Sequence, residues 1–343
     1  MPFMSNHPVY ILAIESSCDD TAAAVLKNDK VLSNLVARQC IHEEFGGVVP
    51  ELASRAHLQN IVPVVDMALK KAGISKNQLN GIAFTQGPGL MGSLLVGSSF
   101  SKSLAMALEI PLIAVNHMQA HILAHFIDEE GFDKPTFPFL ALTISGGHTQ
   151  IVKVSGFFDM EVIGETTDDA VGEAFDKTAK ILGLPYPGGP LIDQFAKEGN
   201  PKAFPFTKPK VKGLNFSFSG LKTQILYFVQ KNVAANPNFI EENKADICAS
   251  VQNIIIKILM DKLKLAVVET GLNQIAIGGG VSANSGIRKT LKEAEVKYSW
   301  KTYIPKFEYT TDNAAMIGIV GYQKFLHHQF ENASVISKAR IEL

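Results

Sequence analysis

After a short apolar run from Pro111 to Val115, the chain reads Asn116-His117-Met118-Gln119-Ala120-His121. Asparagine is a favoured helix N-cap, so a helix should start here, placing His117 and His121 one turn apart on the same face. Two imidazoles at that spacing can share one metal ion, although a packed histidine pair, continued by His125, would give the same pattern. A third ligand has to come from elsewhere. Thr310-Thr311-Asp312-Asn313 offers a carboxylate at a helix start, where a plain N-cap is the ordinary role. A His, His, Asp set with open positions suits iron, zinc or manganese, and residue types do not decide among them. A metalloprotease helix needs Glu directly after its first His; Met118 stands there, which excludes peptidase chemistry of that kind.

Three glycine turns could cradle a phosphate or nucleotide: Ser145-Gly146-Gly147-His148-Thr149, Pro187-Gly188-Gly189-Pro190, and Gly278-Gly279-Gly280-Val281-Ser282-Ala283-Asn284. Glycine lets backbone N–H groups approach an anion, and a following helix adds its dipole. None carries the lysine of a P-loop. Acidic groups gather at Glu15, Asp19 and Asp20, and again at Asp168, Asp169, Glu173 and Asp176. Asp19 and Asp20 could position a substrate amine or a metal-bound water. The second group reads first as a solvated helix face, with Asp176 as an alternative ligand for ribose hydroxyls. Lysines 202, 208, 210, 212 and 222 interleave with Phe204, Phe206, Phe216 and Phe218, a composition that fits either RNA contact or a solvated loop.

The elements that must position these residues fall into two echoing halves. Tyr10 to Ala37 reads as three short strands, and Phe139 to Thr166 repeats that layout. A buried strand, a glycine turn and a helix follow in each, from Gly81 and from Gln274. Helices are expected over residues 51–72, 93–108, 116–126, 168–182, 244–270 and 314–327. The predicted fold class is α/β, a duplicated ribonuclease H-like or actin-like ATPase with two lobes around a nucleotide cleft. One lobe would span 1–116 with 319–343 packing back on it; the other would span 117–318 with an insertion at 185–270.

The chain has 343 residues, 46% hydrophobic and 19% charged, enough for two moderate cores. A net charge of -1 gives no overall basic field for nucleic acid, so any polyanion must meet a local patch. Cys18, Cys40 and Cys248 show no paired spacing, which fits a reducing compartment. No apolar run approaches the roughly eighteen residues of a membrane span, and no signal segment opens the chain, so a cytoplasmic protein without membrane contact is expected.

Read in order, IESSCDDT, GGVVPELASRAH, GPGLMGSLLVG, NHMQAH, TISGGHT, GEAFDKTAKILGLPYPGGP, FSFSGLKT, GGGVSAN and TDNAAMI resemble the tRNA threonylcarbamoyladenosine transferase family. The resemblance runs from about Val9 to Phe325. It implies that His117, His121 and Asp312 bind one divalent metal, iron or zinc. It also implies that Thr143, Ile144, Ser145, Gly146, Gly147, Asp176, Gly189, Asp193 and Asn284 line a site for threonylcarbamoyl-adenylate or ATP/AMP. The implied reaction moves the threonylcarbamoyl group to N6 of the adenosine beside the tRNA anticodon, with Asp19 or Asp20 assisting. Implied partners are tRNA, a paralogous actin-like subunit (TsaB-like) and a small P-loop ATPase (TsaE-like). Asn116, Gln119 and Ala120 stand where many bacterial members carry His, Glu and Gly. The segment after Phe330 matches poorly. A small-molecule kinase on the same fold is the alternative; a non-catalytic scaffold is disfavoured because every implied metal ligand is present.

Overall fold

The computed structural model describes residues 7–343. The chain divides into two compact units, one formed by the residues through Lys134 together with Lys306–Leu343, the other by Pro135–Pro305.

The first unit opens with β1 (Tyr10–Glu15), β2 (Thr21–Lys27) and β3 (Lys30–Ala37), then α1 (Pro50–Ala72), β4 (Gly81–Gly87), α2 (Met91–Leu108), β5 (Leu112–Asn116) and α3 (His117–Leu123). The strands form one sheet in the order β3-β2-β1-β4-β5. β1 pairs antiparallel with β2 and parallel with β4, which itself runs parallel to β5. Continuous apolar runs such as YILAIE and TAAAVLK are what a strand covered on both faces requires. α1 lays Ala53, Ile61, Val64, Val65 and Ala68 on the face that carries Leu12, Ile14, Ala23 and Val25. Each fully buried Leu, Ile or Val there contributes about 1.5–3 kcal/mol.

The second unit repeats the plan with β6 (Phe139–Ile144), β7 (Thr149–Gly156) and β8 (Asp159–Glu165), then α4 (Val171–Ile181), α5 (Gly188–Ala196), α6 (Ser219–Ala235), α7 (Phe239–Thr270), β9 (Gln274–Gly278), α8 (Ser285–Tyr298) and β10 (Lys301–Tyr303). Its sheet has the order β10-β9-β6-β7-β8, with β6 antiparallel to β7 and parallel to β9. The two sheets thus share one topology, as the sequence echo implies. α4, α5, α6 and α7 lie between the meander and β9, where the first unit has, among the described residues, the one α-helix α1.

The last helix, α9 (Ala314–Leu326), covers the face of the first sheet opposite α1. Its glycines make that possible: a Cβ at Gly318 would stand 2.3 Å from Leu26 Cδ1, and one at Gly321 2.5 Å from Ala83 Cβ.

The compact units divide at residues 134 and 306, where the expected lobes divide at 116 and 318; α3 continues directly from β5 and packs on α9. α3 and Asp312 therefore belong to the first unit. The phenylalanines among the lysines are not a stacking platform: Phe216 and Phe218 are fully buried, and Phe204 and Phe206 pack on Phe228. They join the core around Phe175, Ile255 and Leu259.

Candidate metal centre and glycine turns

Asn116 caps α3 as its sequence position suggests, its Oδ1 accepting from the amides of Met118 (2.8 Å) and Gln119 (3.2 Å). The cap fixes the first turn of the helix, and that turn directs both histidines inward; His121 is almost wholly buried and His117 nearly so. Their rings meet edge to face with centroids 4.7 Å apart. Asp312 arrives from the turn before α9 with Oδ1 3.4 Å from His117 Nε2 and 3.3 Å from His121 Nε2. One donor atom from each of the three residues falls within a 4.8 Å cluster.

The donor set fits a metal ion. Neither ring nitrogen of His121 makes a hydrogen bond, although both are buried, and an unpaired buried imidazole is costly. Nε2 lies near the carboxylate without hydrogen-bond geometry, which is the arrangement of two ligands aimed at a common third atom rather than at each other. Two imidazole nitrogens and a carboxylate oxygen are a common set for iron or zinc.

Behind the ligands stands a residue that sequence spacing did not assign to the site. Glu15, fully buried at the end of β1, places Oε2 3.1 Å from His117 Nδ1. The Thr85 hydroxyl donates to Oε2 (2.5 Å), the Ser17 amide donates to Oε1 (2.5 Å), and the Ser17 hydroxyl lies 3.2 Å from the same ring nitrogen. A carboxylate on the far nitrogen orients a ligating histidine and raises its basicity. Burial alone would push the Glu15 carboxyl up, but the charge of His117 outweighs it and leaves the group below its ordinary value. Burial likewise opposes charge on His117, yet Glu15 and Asp312 hold it well above the usual imidazole range. His121 has its pKa lowered by burial. The sequence signal for Glu15 was an acid closing an otherwise apolar strand.

Asp19 and Asp20 sit half-buried in the β1–β2 turn. Burial, then the charges of Asp19 and Asp312, push Asp20 up to about 7. The structure thus sets Asp20 within the electrostatic reach of Asp312.

In the second unit the glycine turns converge. Ser145 closes its turn by donating its amide to the His148 carbonyl (2.8 Å), and the Gly172 amide at the start of α4 donates to the Ser145 carbonyl (3.1 Å). A Cβ at Gly279 would stand 2.5 Å from the Ile144 carbonyl, and one at Gly172 2.6 Å from that of Ser145, so only glycine lets these backbones meet. At Gly146, Gly147 and Gly280, by contrast, a Cβ would find nothing within 4 Å, leaving an open backbone surface. Thr143 Oγ1 and Ser282 Oγ are buried without hydrogen-bond partners beside these turns.

The other expected ligands are held in place by their neighbours. Asp176 Oδ1 accepts from the amides of Gly188 (2.9 Å) and Gly189 (3.1 Å) and so anchors the start of α5. Burial raises its carboxyl despite those amides. Asp193 accepts from the amide and hydroxyl of Ser285, and Asn284 caps α8 through the Ile287 amide while donating to Gln252. The side chain of Ile144 is in the core, so it could present only backbone to a ligand. Asp168, read as part of a solvated face, instead accepts from the amides of Phe218 and Ser219 and caps α6; Asp169 and Glu173 pair with Lys177.

Two sheets of one shared topology, one carrying a His-His-Asp centre and the other convergent glycine turns, place the protein in the actin-like ATPase fold class. Full-length HypF superposes with a TM-score of 0.62 at 13% identity over 94% of this chain and 47% of that one. Component A of (R)-2-hydroxyglutaryl-CoA dehydratase from Acidaminococcus fermentans gives 0.52 at 15% identity, covering 92% and 98% of the two chains. Within that class the chain belongs to the tRNA N6-adenosine threonylcarbamoyltransferase family, whose model matches residues 30–319. A relative of that name from Christiangramia forsetii is 71% identical over 337 residues, 98% of this chain and 99% of its own. Another from Riemerella anatipestifer is 60% identical over 333 residues, covering 97% and 98%. Among the described residues no helix is long and apolar enough to cross a membrane.

Proposed function

We propose that the protein transfers the threonylcarbamoyl group of threonylcarbamoyl-adenylate to N6 of adenosine 37 in tRNAs that read codons beginning with A. The observation that carries the reading is the His117–His121–Asp312 cluster, its two imidazoles buried and one of them unpaired, within a chain whose relatives bear this activity in their name. His117, His121 and Asp312 would hold one divalent cation, iron first and zinc second. When bound, it supplies Lewis acidity to the acyl group.

The chain's own residues account for the rest. Backbone at Gly146, Gly147 and Gly280 offers an anion surface for the adenylate, and α4 adds the positive end of its dipole. The N6 amine forms a C–N bond to the carbamoyl carbon as the carbon–oxygen bond to the adenylate breaks, and AMP departs. Asp20, poised near 7, takes the proton that the amine loses, and Asp19 helps to orient the amine. Glu15 keeps His117 Nε2 directed at the centre throughout. Exposed Lys202, Lys210 and Lys212 supply a local basic patch for tRNA; with the phenylalanines in the core, charge alone is left there. A TsaB-like paralogue and a TsaE-like ATPase complete the assembly, in the cytoplasm where tRNA is modified.

A kinase on the same fold draws no support, since two imidazoles are poor ligands for the magnesium it would need. The test is transfer of labelled threonine from supplied threonylcarbamoyl-adenylate into purified tRNA, with partner subunits, for wild type and His117→Ala/His121→Ala. Incorporation by wild type and its loss in the folded double variant is expected. ATP-dependent phosphorylation of a small molecule without any incorporation would sink the reading.

A further inference from the structure

The segment that follows α9 lies beyond the matched residues 30–319, and the transfer reaction gives it no task. It is nevertheless bonded along much of its length to the elements that carry the metal ligands. The Glu331 amide donates to the Leu112 carbonyl at the start of β5 (2.8 Å). Lys102 Nζ on α2 donates to the Val335 carbonyl, Gln86 Nε2 donates to that of Ile336 (3.1 Å), and buried Ser337 Oγ meets Ser98 Oγ (2.9 Å). The Lys338 amide donates to the Gln86 carbonyl (2.9 Å), and the Ala339 carbonyl accepts from the Gly89 amide (3.2 Å). Finally the Glu342 carbonyl accepts from Asn116 Nδ2 (2.9 Å).

Two of these contacts lead to His117 by separate routes. Asn116 spends both ends of its amide: Oδ1 caps the metal helix, and Nδ2 is held by Glu342. The other route runs through the turn after β4. Gly87 packs so closely beneath the segment that a Cβ would stand 1.9 Å from the Lys338 carbonyl. On its other side the turn presses on Ser17: a Cβ at Gly89 would lie 2.4 Å from the Ser17 carbonyl, which accepts from the Leu90 amide (2.7 Å). Ser17 in turn meets His117 Nδ1 through its hydroxyl.

We infer that residues 331–342 are a positioning element for the metal centre, clamping Asn116 and the Gln86–Gly89 turn from outside so that the His117 ring is held for coordination. The inference rests on the reading that His117, His121 and Asp312 hold a metal. Asn116 is the key residue because its side chain joins the clamp to the helix that supplies two of the three ligands. A loose clamp would leave the fold intact and the ligands present, but would let the first turn of α3 move.

The test is Co²⁺ titration of the full-length protein, read by visible absorption, alongside the melting temperature of the metal-free form. Asn116→Ser keeps an oxygen to cap α3 and loses the donor to Glu342. Ser337→Trp wedges the segment off α2 without touching any residue of the centre. Both should bind Co²⁺ about 10–100-fold more weakly with altered absorption bands, while metal-free Asn116→Ser melts close to wild type. If Ser337→Trp does not fold, Gln86→Ala with Lys102→Met removes two side-chain contacts to the segment from its exposed edge. Affinities within about twofold of wild type, with unchanged bands, in both Asn116→Ser and a segment variant would overturn the inference. Wild-type binding no tighter than that of His117→Ala/His121→Ala would instead overturn the metal reading on which it rests.

Discussion

Glu15 and Asp20 flank the same short turn between β1 and β2, yet their carboxyls are driven in opposite directions. Glu15 faces His117 and falls below its ordinary range; Asp20 is raised to about 7 by burial first, and then by the like charges of Asp19 and Asp312. For Asp20 the folded value lies above the unfolded one, so the folded state binds the proton more tightly. Its effect on stability is therefore most favourable in acid and is lost as pH rises from about 4 through about 7. In metal-free protein Asp20→Asn should be more stable than wild type at pH 8, by roughly 1–3 kcal/mol after allowance for screening, and the gap should close towards pH 4. Paired urea titrations across that range would show it; a gap independent of pH would mean that Asp20 ionises freely. At this scale the sequence was legible where partners lie within one helical turn. His117, His121 and the Asn116 cap followed from spacing alone. Glu15 and Asp312 reach the same histidines from positions 102 residues before and 195 after His117, a proximity that only the fold creates.

Elements were legible where periodicity was strong and obscure where a cap or a core contact decided matters. α5 and α6 went unread because Pro, Gly and Lys break up the pattern around them, and the signal that starts α6 is Asp168, about fifty residues upstream. That carboxylate takes the Phe218 and Ser219 amides together with the Ser217 and Ser219 hydroxyls. Burial would raise it, but those donors outweigh burial and hold it below the usual aspartate range. Asp168→Ala should cost about 1–2 kcal/mol, the usual worth of an N-cap. The contribution is present above the ordinary aspartate range and disappears as pH falls through the lower folded value, so wild type and variant should converge in acid. Chemical denaturation at neutral and acid pH measures both; a variant as stable as wild type at neutral pH would mean the cap is dispensable. The phenylalanines near the lysines were ambiguous for a different reason: composition cannot tell a stacking surface from a core, whereas burial of Phe216 and Phe218 does.

For the molecule as a whole, the duplicated strand order was written in the sequence because each copy keeps its own meander, glycine turn and helix. What the sequence could not partition was the chemistry. The structure puts His117, His121 and Asp312, with Glu15 and Asp20, in the first unit, and all three glycine turns in the second. Each ligand should then stabilise chiefly the unit that binds it. Binding at a hundredfold excess over Kd contributes about 2.7 kcal/mol to the state that binds. In hydrogen exchange, a divalent metal should slow the amides of His117–Leu123 and Ala314–Leu326, while AMP should slow those around Ser145–Thr149 and Gly279–Asn284. The same measurements on His117→Ala/His121→Ala should lose the first pattern and keep the second, since the substituted histidines belong to the first unit and the glycine turns to the second. Loss of both patterns would mean that nucleotide binding depends on the metal centre and that the two sites form one thermodynamic unit. Retention of both would remove His117 and His121 as metal ligands.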